Sequence, residues 1–151
     1  IGTVTAVGSA AKRHRVGDRV GVGWSAESCM GCRQCLSGTH QLCSQVQPTI
    51  VGHNGGFAEK VRAHWAWTIP LPEKLDSAEA GPLLCGGITV FNPLAMYASP
   101  TSRVGIVGIG GLGHMGVKFA AAFGCEVTAF TSTVKIRRGP RLRSGSCRCD
   151  S

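Results

Sequence analysis

Four cysteines, Cys29, Cys32, Cys35 and Cys43, give the spacing Cys-x2-Cys-x2-Cys-x7-Cys. Thiolates are soft, strong ligands, and four of them close a tetrahedron around one Zn2+ with no open position, so such a site is structural. Two intervening residues are about what a chain needs to turn and present two sulfurs to one ion. Gly31 and Gly38 lie inside the loops, where positive φ or close backbone approach is cheap. Two disulfides are the alternative, and the first residues show no signal peptide that would favour them. An iron–sulfur cluster fits less well, because the bacterial ferredoxin run has a shorter last gap and then a proline, where Ser44 stands here. The reading is a structural zinc lobe over residues 25–45.

A second constellation is Gly108-Ile109-Gly110-Gly111-Leu112-Gly113. Gly-x-Gly-x-x-Gly is weak alone, but here it follows a predicted strand and opens a predicted helix. Gly108 permits the tight turn, Gly110 lets a pyrophosphate approach the backbone, and Gly113 lets helix and strand pack closely. The helix start offers unpaired N–H groups and partial positive charge to phosphates. About 20 residues on, an NAD enzyme usually has Asp or Glu for the ribose 2′-hydroxyl. This chain has Thr131, Ser132 and Thr133 there, with Lys135 beyond and no carboxylate. Hydroxyls and a cation suit a 2′-phosphate, so NADP is expected over NAD; Arg137 is read as a solvated charge. Cys85, in an apolar stretch, is by chemistry alone a small buried hydrophobe. None of the five histidines is read as a zinc ligand: His14, His40 and His64 are expected exposed, His53 in a glycine turn and His114 in a helix.

The elements that must position these residues change character along the chain. Residues 1–7 and 19–24 read as strands, with Val20, Val22 and Trp24 alternating onto one buried face. A short strand is expected at 57–61, and Ile69-Pro70-Leu71-Pro72 must be extended. From Asp76, a capping residue with Glu79 at capping-box spacing, the pattern turns helical. Residues 83–97 are apolar, and Pro93 opposes a single straight helix. Residues 103–107 and 126–130 read as buried parallel strands flanking a helix at 111–124, which makes a βαβ unit.

Composition bounds the rest. At 151 residues and 43% hydrophobic content the chain can hold a packed core. No apolar run reaches the roughly 18 residues of a membrane span, and the cysteine usage points to a reducing cytoplasm. Of the net charge of +8, residues 134–151 supply +5, so the remainder has the ordinary balance of a soluble enzyme and no nucleic-acid or membrane partner is expected.

Together, Val16-Gly17-Asp18-Arg19-Val20-Gly21-Val22, the four-cysteine lobe, Gly55-Gly56-Phe57-Ala58-Glu59, Gly81-Pro82-Leu83-Leu84-Cys85-Gly86-Gly87-Ile88-Thr89-Val90 and the glycine turn followed by His114-Met115-Gly116 resemble a zinc-dependent medium-chain alcohol dehydrogenase of the cinnamyl-alcohol-dehydrogenase-like branch, over residues 1–135. The resemblance implies an α/β fold with a β-rich part. Residues 1–95 would be a partial GroES-like β-barrel catalytic domain. Residues 96–135 would be the first βαβ of an NAD(P)-binding Rossmann domain, a doubly wound parallel sheet. It implies that Cys85 binds a catalytic zinc and that Thr89 lies against the cofactor. The family's Gly-His-Glu segment and a further catalytic cysteine belong before Ile1, so Cys85 lacks its partner ligands. Residues 136–151 shift abruptly to Arg, Gly, Ser and Cys and read as an aberrant, disordered tail, out of frame or unrelated.

The leading reading is therefore a fragment, inactive alone, of an enzyme interconverting small alcohols and aldehydes with NADP(H). In the intact enzyme zinc polarises the substrate oxygen, and the homo-oligomer common in the family is expected. The alternatives are a non-catalytic zinc-binding truncated product and a polyol dehydrogenase of the same superfamily.

Overall fold

The computed structural model describes residues 1–131, and the chain divides into two compact units that part between Cys85 and Gly86. Thr131 is the last described residue, so Ser132, Thr133, Lys135 and the tail over 136–151 lie outside the described residues.

The first unit is built on β1 (Gly2–Thr3), β2 (Arg19–Val22), β3 (Ser25–Glu27), α1 (Arg33–Leu36), β4 (Gln47–Pro48), β5 (Thr68–Pro70) and α2 (Ser77–Pro82). β2 is the centre of an antiparallel sheet ordered β1-β2-β5, with Gly2 opposite Val20 and Gly21 opposite Ile69. β5 is an edge strand, which is where a sheet tolerates Pro70. β3 and β4 form a separate antiparallel pair, and among the described residues no barrel closes. Val20 is buried, but Trp24 is 55% exposed and lies beyond β2, so the expected alternation stops short. The strand expected at 57–61 is absent: no described segment pairs with it, and Phe57 is fully exposed. A β-strand is stable only against a partner, which alternation within one segment cannot supply.

The guanidinium of Arg19 ties β2 to the end of the unit, donating to the carbonyls of Glu73 at 3.2 Å and Leu75 at 2.6 Å and to Ser77 Oγ at 2.8 Å. Asp76 caps α2, accepting from the N–H groups of Ala78 at 2.8 Å and Glu79 at 3.3 Å, as its position predicts. α2 then runs into a single π-helical turn, Leu83–Gly87, and the chain stays helical into α3, Ile88–Tyr97, with Pro93 inside it. Pro93, which opposes a single straight helix, thus lies inside α3, and the irregularity falls about two turns earlier.

In the second unit, β6 (Arg103–Val107) and β7 (Glu126–Phe130) pair in parallel, Arg103 opposite Glu126 and Val107 opposite Phe130, with α4 (Gly111–Ala122) between them. α4 packs on α3, where Phe91 meets Phe119 edge on at 5.7 Å and, tilted at 37°, Phe123 of the α4 C-cap at 5.4 Å. The strands occupy the residues that the sequence predicts, but their burial differs. Each alternates exposed and half-buried, and Val107 is 85% exposed. Ile106 is covered from the side of α4, where the bare Gly116 lets it approach. A two-stranded sheet with a helix on one face leaves its other face open, so the expectation of strands buried on both faces fails among the described residues.

Candidate functional site

The cysteine lobe is assembled by short turns. Cys32 is the N-cap of α1, Cys35 lies within that single helical turn, and a 3-10 turn at His40–Leu42 delivers Cys43. The backbone conformation that lets Cys29 and Cys32 converge falls on Met30, at φ 59°, while Gly38 adopts φ 80°. Gly31 does not use its freedom. The four sulfurs lie within 4.8 Å of one another, with Cys32 to Cys35 at 3.5 Å, Cys43 to Cys29 at 3.6 Å and Cys29 to Cys35 at 3.9 Å. A tetrahedron with Zn–S bonds of about 2.3 Å has edges of about 3.8 Å, so these spacings fit the ion. The sulfurs are free thiols, with no disulfide among them.

The electrostatics of the cluster also suit a cation. Backbone N–H groups of Gly31 and Cys32, helped by the Cys32 and Cys43 side chains, draw the Cys29 thiol down to about 6. The Ser28 hydroxyl, with Cys32 and Cys43, holds Cys35 below the usual thiol range. At Cys32 a backbone N–H from Cys35 pulls the same way. Burial and the neighbouring sulfurs override it and push the thiol up to about 11. Cys29 is thus the sulfur that ionises most readily, while burial and the neighbouring sulfurs keep a proton on Cys32 until a metal displaces it.

Cys85 is exposed on the π turn and is a free thiol. Its neighbour Leu84 fixes that turn on β2. A Cβ at Gly21 would run into the Leu84 Cδ1 methyl, and one at Gly23 would stand 3.1 Å from the Leu84 carbonyl oxygen. Gly21 and Gly23, which fall between Val20, Val22 and Trp24 in the alternation, leave room there for Leu84. Among the described residues the cysteine lobe is the one group of three or more metal-ligating side chains, so Cys85 gathers no second ligand set there. Thr89 lies exposed in the first turn of α3.

The glycine turn places its residues as the motif predicts. Gly108 has φ 84°, and its N–H donates to the Phe130 carbonyl at 2.9 Å, which ties the turn to the end of β7. A Cβ at Gly113 would collide with the Gly108 carbonyl. At Gly110 and Gly111 nothing among the described residues stands within 4 Å of where a Cβ would be, which leaves an open cradle at the start of α4. Gly110, the N-cap, has no side chain to satisfy the first N–H groups, and Ile109 and Leu112 are exposed beside it. Unpaired donors facing open space fit a phosphate. Thr131 follows β7 at the strand end from which cofactor choice is expected.

Two side chains at the lobe escape sequence reading. Ser28 is 5% exposed, with its hydroxyl 3.3 Å from Cys35 Sγ and 3.1 Å from His40 Nδ1. His40 is half-buried and meets Trp67 edge on at 5.4 Å, so the expectation that it is exposed is wrong. So is that for His14, whose Nε2 lies 2.8 Å from Thr68 Oγ1 and 3.0 Å from the Trp65 carbonyl. A hydroxyl directly before the first ligand was the available signal for Ser28. His40 had none.

Residues 1–73 match the alcohol dehydrogenase GroES-like domain. The chain is 52% identical over 136 residues to aldehyde reductase AdhA of Synechocystis sp., covering 89% of the chain and 40% of that protein. It is 41% identical over 159 residues to an NADP-dependent alcohol dehydrogenase C of Mycobacterium tuberculosis, covering 96% of the chain and 45% of that protein. Among solved structures, CAD from Helicobacter pylori complexed with NADP(H) superposes with a TM-score of 0.81 at 33% identity, over 87% of this chain and 41% of that one. A cinnamyl alcohol dehydrogenase from Sorghum bicolor gives 0.77 at 38% identity, over 87% and 40%. The chain thus spans 40% and 45% of the length of the two relatives, less than half of either.

Proposed function

The chain belongs to the alcohol dehydrogenase family through its GroES-like domain, and from that premise we propose that the whole protein is a zinc-dependent oxidoreductase that interconverts small alcohols and aldehydes with NADP(H). The observation that carries this reading is the open glycine cradle at the start of α4, in a chain 52% identical to an aldehyde reductase. On this reading residues 96–135 are the first βαβ of a Rossmann domain. Gly108, Gly110 and Gly113 shape the turn, and the N–H groups after Gly110, with Ile109, Gly111 and Leu112, receive the pyrophosphate. Thr89 sits against the cofactor. Cys29, Cys32, Cys35 and Cys43 hold a structural zinc, and Cys85 is one ligand of a catalytic zinc whose other ligands are not among the described residues. When bound, that zinc supplies a Lewis acid and the nucleotide carries the hydride.

Thr131, Ser132, Thr133 and Lys135 are assigned to the 2′-phosphate, in keeping with two relatives, the NADP-dependent alcohol dehydrogenase C of Mycobacterium tuberculosis and the Helicobacter pylori CAD complexed with NADP(H). The test is kcat/KM of the whole protein with NADPH and NADH and a simple aldehyde, for the parent, Ser132→Asp and Lys135→Ala. A carboxylate about 5 Å from one unit of phosphate charge, at an effective dielectric near 20, is repelled by roughly 3 kcal/mol. Screening leaves about 1–2 kcal/mol, on the order of ten-fold in preference. Lys135→Ala should weaken NADPH and leave NADH nearly unchanged. A parent that prefers NADH, or a ratio that Ser132→Asp does not move, rejects the strand end as selector. Turnover that survives both chelation and Cys85→Ala rejects the zinc chemistry.

A further inference from the structure

Three of the four lobe sulfurs take hydrogen bonds from the backbone: Cys29 from the N–H groups of Gly31 and Cys32, Cys32 from that of Cys35, and Cys43 from that of Gln45 at 3.3 Å. Cys35 differs. Its partner is the Ser28 hydroxyl at 3.3 Å, and the same oxygen stands 3.1 Å from His40 Nδ1. Ser28 and Cys35 are each only 5% exposed, so water competes little for this contact. The edge-on contact with Trp67 holds the plane of the His40 ring.

A hydroxyl has one proton to give. Ser28 has two sulfurs in reach, Cys35 and the Met30 thioether at 3.4 Å. A thiolate is charged and a thioether is a weak neutral acceptor, so with Cys35 deprotonated the proton goes to Cys35. The oxygen lone pair then faces His40, which must donate from Nδ1. Four thiolates around one Zn2+ leave a net charge of about −2, and every donor that reaches a sulfur spreads that charge. We propose that His40 and Ser28 form a two-step hydrogen-bonded support ending on Cys35. It orients this thiolate, draws charge from it, and thereby sets how tightly and for how long the lobe holds its metal. The inference rests on the reading of the lobe as a zinc site. Both residues are positioning residues, acting through Cys35.

The test uses the purified chain loaded with zinc or with cobalt(II). In a cobalt tetrathiolate, the sulfur-to-metal charge-transfer bands report electron donation by sulfur, and the visible d–d bands report tetrahedral geometry. Ser28→Ala should weaken zinc roughly ten-fold in competition with a chromophoric chelator. It should also move the charge-transfer band to lower energy while the d–d bands stay in place. Ser28→Thr, which keeps the hydroxyl, should restore both. His40→Phe keeps a ring against Trp67 without the N–H and should give a smaller loss in the same direction. His40→Asn, whose side-chain NH2 can take the place of Nδ1–H, should recover it. A parent that shows no tetrahedral cobalt spectrum overturns the metal reading, and this inference with it. A parent that binds, with Ser28→Ala unchanged in affinity and band, overturns the inference alone. So does a loss of affinity with no band shift and no rescue by threonine, which is the signature of packing.

Discussion

The Cys29–Cys43 lobe gathers four side chains around one point, whereas the Gly108–Gly113 turn clears side chains away from another. In the lobe a residue matters for the atom it contributes, and the backbone serves to deliver it. In the turn the backbone itself is the exposed surface, and a residue matters for the atoms it lacks. The two respond to substitution in opposite ways. The lobe is broken by removing atoms, the turn by adding them.

The largest expected effect is on the lobe. Structural zinc is held by about 10–16 kcal/mol, and a quarter of the lower figure is roughly 2.5 kcal/mol, near seventy-fold in affinity. Cys43→Ser should lose zinc by that order, read by chelator competition. Unchanged zinc affinity would mean that the lobe is not a four-sulfur site.

The turn allows a finer division, because its glycines do different work. Gly113→Ala drives a methyl into the Gly108 carbonyl and should destabilise the chain by about 2 kcal/mol, seen as a lower melting temperature. Gly110→Ala meets nothing within 4 Å among the described residues and leaves a negative φ of −88°, so the melting temperature should stay within about 1 °C of the parent. NADPH affinity should nevertheless fall roughly ten-fold, since the methyl occupies the phosphate's approach. Equal melting losses from both substitutions would erase the distinction between a packing glycine and a binding glycine.

The smallest effect sharpens the electrostatic side of the comparison. Cys29 is exposed, and in the metal-free chain its thiol is drawn down to about 6 from the ordinary 9.0. Above pH 7 it is thiolate, so alkylation should be on a plateau. Below pH 6 the rate should fall about ten-fold per pH unit as the thiolate is protonated. The stability that this shift lends the metal-free lobe is full above the ordinary value of 9.0 and is lost as pH falls from there through about 6. Zinc should abolish the reaction. A midpoint near 9 would show that the backbone donors do not act on this sulfur.

Where function is written in spacing, the sequence reads well. The four cysteines fall within fifteen residues and converge through local turns, so their grouping follows from counting. The glycine turn and its two strands are equally local, and residues 103–107 and 126–130 are strands as expected. What sequence reading misses depends on distant partners. Residues 57–61 carry strand character but no described strand receives them. The burial of β6 and β7 depends on what covers their second face, which neither strand encodes. His40 is tied to Ser28 across twelve positions and to Trp67 across twenty-seven, distances over which no spacing rule operates. Met30 adopts the left-handed conformation beside a glycine that was free to take it, because the positions of Cys29 and Cys32, rather than the cost of a side chain, decide which residue turns.

The lobe also lies inside the long connection between β2 and β5, and this has a kinetic consequence. About 45 residues separate those paired strands, and bridging Cys29 to Cys43 through a metal shortens the flexible path to about 31. Loop-closure entropy grows only as the logarithm of length, so this lowers the cost of strand meeting by about 0.3 kcal/mol, less than a factor of two in rate. The sheet can therefore close before the metal arrives as readily as after it. Refolding of β2 against β5 should run at nearly the same speed with zinc and with chelator, even where the final stabilities differ widely.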